Sequence, residues 1–189
     1  METLHVLGVA GSLRRESYNR KLLRAAQGLA PDDLRVEIFD LAGIPLYNAD
    51  LDGDAAPEPV REFKARIAAT DALLLVTPEY NWGMPGVLKN AIDWASRPTA
   101  SSPLRHKPVA LMGARTGQWG TVRAQLQWRQ TFVYLDAFVL PQPQALVTMA
   151  ESKFDAAGAL TDEPTRGHVR KLLEALAAWT RRLAAGAAG

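Results

Sequence analysis

The chain has 189 residues, is 48% apolar, and carries a formal net charge of +2 from 22 basic and 20 acidic side chains, which allows one compact domain with a substantial core. It contains no cysteine, which excludes disulfides, thiolate catalysis and cysteine-ligated metal. Its scattered arginines predict no nucleic-acid face, its opening shows no basic leader before an apolar core, and its apolar runs are too short to span a bilayer, so a cytoplasmic protein without nucleic-acid or membrane partners is expected.

In chain order, Leu4–Ala10 is a short apolar strand stopped by Gly11. Residues 18–30 then change period: Leu22, Leu23, Ala26 and Leu29 share one helical face, while Arg20, Lys21, Arg24 and Gln27 are left for solvent. Pro31 and two aspartates end that helix. Leu34–Phe39 alternates, with Leu34, Val36 and Ile38 on one side, as an edge strand does. Residues 40–57 are rich in Asp, Gly and Pro and predict an irregular link.

The spacing of Val60, Phe63 and Ile67 predicts a helix over 59–69. The continuous apolar run Ala72–Val76 suits a central parallel strand covered on both faces. A helix follows over 85–95, with Pro85 in its first turn and Leu88, Ala91, Ile92 and Ala95 inside. A strand is expected over 108–112 and a helix over 121–134. Segments 138–140 and 145–149 are strand candidates separated by Pro141-Gln142-Pro143-Gln144. A last helix is expected over 165–184, leaving 1–185 as a single domain and 186–189 as a short flexible tail. This alternation implies a parallel sheet between two helical layers.

In such sheets ligands sit beyond the carboxyl ends of the strands, and three strand ends here deliver unusual loops. The first, Gly11 to Asn19, offers hydroxyls at Ser12 and Ser17, a cation at Arg14 and an amide at Asn19, beside the N-terminus of a helix; that set suits a phosphate. Ser17 also reads as a helix cap. Neither a dinucleotide glycine fingerprint nor a nucleoside-triphosphate loop is present. The second loop carries Thr77, Pro78, Glu79, Tyr80, Asn81 and Trp82. The third runs from Gly113 through Arg115, Thr116, Gly117, Trp119 and Gly120 to Thr121. Aromatics on one loop and glycines on the other suit a flat aromatic cofactor. Packing or an oligomer surface is the alternative for Tyr80, Trp82 and Trp119.

Three stretches, GSLRRESYN (11–19), PEYNWGMPGVLKNAIDW (78–94) and GARTGQWGTVRAQLQWRQ (113–130), resemble the NADPH-dependent FMN reductase family, which includes quinone, chromate and azo-dye reductases. The resemblance implies a flavodoxin-like three-layer α/β sandwich with a five-stranded parallel sheet of order 2-1-3-4-5. It implies noncovalent FMN, with NADPH or NADH as co-substrate. Ser12, Arg14, Ser17 and Asn19 would surround the phosphate. Pro78, Glu79, Tyr80 and Asn81 would run along the ribityl chain and ring, and Gly113, Arg115, Thr116, Gly117 and Gly120 would lie beside the ring. It further implies ping-pong transfer of electrons through flavin N5 to quinones, chromate, azo compounds or free flavin, with no catalytic side chain.

Dimers, with dimers pairing into tetramers, are the implied assembly. The chain departs from the family at Arg115, where relatives often carry a small residue, and at Thr121, where they often carry a second glycine. Arg115 and Trp119 would therefore alter the mouth of the site, which bears on acceptor size and nucleotide preference more than on flavin binding. Glu79 reads either as a proton donor or as a cap for helix N–H groups. A non-catalytic flavin-binding electron-transfer protein is the alternative function.

Overall fold

The computed structural model describes residues 2–187. Strands β1 (Leu4–Ala10), β2 (Leu34–Phe39), β3 (Ala72–Val76), β4 (Pro108–Ala114) and β5 (Phe138–Val139) form a parallel sheet in the order β2-β1-β3-β4-β5. This is the flavodoxin-like order expected. Helices α1 (Tyr18–Leu29) and α5 (Glu163–Ala187) cover one face of the sheet. Helices α2 (Glu58–Ala69), α3 (Gly86–Ala95) and α4 (Val122–Tyr134) cover the other.

The central strand shows why its sequence is apolar throughout. Successive side chains of a strand point to opposite faces. Leu74 and Val76 pack under α1 and α5 with Leu22, Leu23, Leu172 and Leu176. Leu73 and Leu75 pack under the other layer with Phe63, Ile67, Leu88, Trp94 and Trp128. Every residue of β3 is therefore buried.

The structure corrects the sequence reading in four places. The fifth strand position is split, because β6 (Ala145–Val147) also pairs with β4, making six strands. Pro141 and Pro143 lack the N–H groups a ladder requires, so the chain leaves the sheet and returns. That return lengthens β4, whose Gly113 and Ala114 pair with Leu146 and Val147. Ile38, expected inward with Leu34 and Val36, is 37% exposed. It borders a small cavity of about 140 Å³ beside Arg20 and Arg24, which no side chain fills. Finally, α5 is longer than expected at both ends. It starts at Glu163, where the Asp162 carboxylate accepts from the Thr165 N–H at 3.0 Å and caps it. It runs through Ala187, so the expected tail begins inside a helix, and its last residues, 188–189, lie outside the described residues.

The link at 40–57 is as irregular as its composition suggested, with three short 3-10 turns. It is pinned to α3: Trp94 Nε1 and Asn90 Nδ2 both donate to the Pro45 carbonyl, at 2.8 and 2.7 Å. Among the described residues no helix is long and apolar enough to cross a membrane.

Candidate functional site

The loops after β1, β3 and β4 meet at the carboxyl edge of the sheet. All the expected site residues except Gly113, Gly117 and Gly120 line one cleft of about 490 Å³, a volume typical of small-ligand sites.

The β1 loop forms one side of the cleft. The Ser17 side chain caps α1 by accepting from the Asn19 and Arg20 N–H groups, so its oxygen is engaged while its own proton is free. Asn19 is buried, and its amide binds both backbone groups of Ala114, donating at 2.9 Å and accepting at 2.8 Å. It ties α1 to the end of β4, so its amide is engaged by the protein even though the residue lines the cleft. Arg14 has no ion-pair partner among the described residues. The backbone N–H groups from Ser12 to Glu16 also find no protein acceptor there. The first turn of α1 carries no acid. The nearby Glu16 turns to Lys21 at 3.0 Å, whose hydrogen bond and charge hold its carboxyl below the usual range. A free guanidinium, free backbone donors and the positive end of a helix make an anion cradle, and the residues present fit the phosphate of FMN.

The β3 loop closes through a tight turn. Tyr80 and Gly83 exchange backbone hydrogen bonds at 3.2 and 2.9 Å, and the two residues between them, Asn81 and Trp82, have φ of 49° and 64°. The Tyr80 hydroxyl reaches Ser12 Oγ at 3.3 Å, joining this loop to the first. Pro78 is held from below: its carbonyl accepts from Thr77 Oγ1 at 2.9 Å, and Thr77 Oγ1 in turn accepts from Trp128 Nε1 at 3.0 Å.

Glu79 is the hub, and its side chain is 0% exposed. Oε2 accepts from the Arg123 and Ala124 N–H groups at 2.9 and 3.3 Å. Oε1 accepts from Arg115 Nη1 at 3.0 Å and Arg123 Nη1 at 3.3 Å. Thr121, at the N-cap of α4, makes no side-chain cap bond, so an acid more than forty residues upstream caps this helix. Of the two roles read for Glu79, the geometry selects the cap: four donors saturate the carboxylate.

The β4 loop adds Arg115 and Thr116 to the rim. Arg115 is drawn to Glu79 and is not a free cation. Gly117 is open, and Gly120 has φ of 56°, beside Leu146 and Thr148. Gly113 is a packing residue of β4: a Cβ there would lie 2.2 Å from the Thr77 carbonyl and 2.3 Å from Thr121 Oγ1. The sequence reading passed over Arg123. Its signal is an arginine in the first turn of a helix that lacks a cap of its own, opposite a loop acid that burial obliges to find cations.

Comparison with known proteins places the chain in a family. The family model for NADPH-dependent FMN reductases matches residues 4–152. The chain is 48% identical to an NAD(P)H-dependent FMN reductase of Pseudomonas aeruginosa, over 96% of this chain and 98% of that one. It is 46% identical to a 2-hydroxy-1,4-benzoquinone reductase of a Burkholderia species, over 94% and 97%. The solved structure of the flavoenzyme NAD(P)H:(acceptor) oxidoreductase from Paracoccus denitrificans superposes with a TM-score of 0.87 at 35% identity, covering 95% of this chain and 98% of that one. The chain belongs to the NADPH-dependent FMN reductase family and is an FMN-dependent oxidoreductase.

Proposed function

We propose that the cleft holds FMN with its phosphate against Ser12, Arg14, Ser17 and the 12–16 backbone, and that the protein carries two electrons from NADPH or NADH to a quinone. The observation that carries this reading is the uncompensated anion cradle facing the aromatic and glycine loops across one cleft. Pro78, Tyr80 and Asn81 line the ribityl chain and ring on one side; Thr116, Gly117 and Gly120 do so on the other. Asn19, Glu79, Gly113 and Arg115 hold those loops in place. FMN held there would supply two-electron redox chemistry between nucleotide and acceptor. The protein's own part is to orient both partners and to offer backbone N–H groups to the negative charge that develops on reduction.

The balanced reaction is NAD(P)H, one proton and a quinone giving NAD(P)⁺ and a hydroquinone, in two halves that share one site. The names of the relatives support the quinone; chromate, azo compounds and free flavin are other small acceptors for the same reduced ring. We assign a homodimer contact, with dimers pairing into tetramers, to the outer face of α4. Leu126, Val133 and Tyr134 are exposed there while Trp128 and Phe132 are buried in the core, so the outer apolar face is the one left to cover. A cytoplasmic location goes with this reading. The rival, a flavin carrier without NAD(P)H turnover, would suit an acidic docking surface, which a net charge of +2 does not favour.

Anaerobic stopped-flow mixing tests the proposal. NADPH or NADH alone should bleach the flavin absorbance, and benzoquinone added to the reduced protein should restore it. Bleaching that requires the quinone to be present would contradict ping-pong order. Flavin that neither nucleotide reduces would favour the carrier.

A further inference from the structure

Arg123 lies close to two indoles. Its guanidinium carbon lies 4.0 Å from the centroid of the Trp82 ring and 5.9 Å from that of Trp119, within cation–π range of both. Its charge is already met by buried Glu79, so the stack is fastened to the hub of the site. Both indoles nevertheless remain open, at 66% and 68% exposure. Trp82 also follows Asn81, which lines the cleft, and sits at the second central position of a two-residue turn with φ of 64°. Glycine is the residue that position favours, and a bulky side chain there is an outlier. A local cost retained at a cleft points to use of the side chain.

We propose that Trp82 and Trp119, both beside Arg123, form an acceptor platform that stacks a flat, electron-poor quinone ring at the mouth of the cleft and so favours quinones over oxidants without a flat ring. This rests on the proposed function above. The indoles offer electron-rich faces, and the quinone complements them; the cation beside them is spent on Glu79. A quinone lies flat on such a face, whereas an inorganic oxidant gains nothing from it.

The test uses Trp82→Gly, Trp119→Ala and the double variant, all as FMN-loaded protein. Glycine is the better turn residue, so Trp82→Gly should fold at least as well as the parent. The kcat/KM for benzoquinone should fall about tenfold in each single variant and further in the double. Turnover with ferricyanide, FMN affinity and the rate of reduction by NADPH should stay within about twofold. Unchanged benzoquinone kinetics would overturn the platform, as would an equal loss with both oxidants. A change confined to NADPH binding would assign the indoles to the nucleotide instead. Dissociation of the variants on sedimentation would assign them to contact with a second copy of this chain, and either result would overturn the proposal. Parent protein that NADPH reduces but benzoquinone does not reoxidise would sink the quinone reading itself, a distinct failure.

Discussion

Glu79→Ala should lower the thermal midpoint by about 6–12 °C. The substitution removes the acceptor for two guanidinium groups and two backbone N–H groups at once. Truncating one partner of a buried ion pair costs about 3–5 kcal/mol. Arg115 and Arg123 are 39% and 27% exposed, so water recovers part of the loss and the lower end, about 3 kcal/mol, applies. For a domain of this size each kcal/mol moves the midpoint by about 2–4 °C. Glu79→Gln keeps an oxygen for the helix N–H groups and loses only the charge, so it should fall between Ala and the parent. Affinity for FMN should drop with stability in Glu79→Ala, because loop 78–81 loses its tether to α4. A melting curve within about 2 °C of the parent would refute the role of hub.

Gly113→Ala should be nearly as harmful, for a steric reason. The new methyl would meet the Thr77 carbonyl and the Thr121 hydroxyl, both nearer than any side-chain carbon can approach. Overpacking usually costs about 1–3 kcal/mol and more where backbone must move. The backbone that must move here carries Thr77 into Pro78 and Glu79, so a midpoint about 6–12 °C lower and weakened FMN retention should appear together. Adding Thr121→Gly removes one of the two obstacles and should recover part of the loss. The Thr121 side chain thus occupies space that a residue larger than glycine at 113 would claim. Full stability of Gly113→Ala alone would contradict it.

The alternation of strands and helices was readable because burial on both faces leaves a continuous apolar run at Ala72–Val76 and single-faced burial leaves a stripe at Val60, Phe63 and Ile67. The split fifth strand was foreshadowed by its prolines, but its return to β4 depends on partners distant in sequence. The cleft was readable as three loops at one edge, because strand direction alone brings them there. What each polar residue does was less so. Ser17, Asn19, Glu79 and Arg115 have the chemistry of ligands, yet the structure employs their polar groups largely on the protein itself. Local sequence names a donor or acceptor; it does not say whether backbone or ligand answers it. Arg123 went unread for the same reason, since its partners lie in a loop more than forty residues away.

The central claim is that the cradle after β1 grips a phosphate. The most direct measurement is fluorescence titration of the apoprotein with FMN and with riboflavin, which differ only by that group, in the parent and in Arg14→Ala. The parent should prefer FMN strongly, and Arg14→Ala should lose about 10- to 100-fold in FMN affinity, as loss of a charge-assisted hydrogen bond entails, while riboflavin binding stays unchanged. Equal affinity of the parent for the two flavins, or an Arg14→Ala protein that binds FMN as the parent does, would contradict the account.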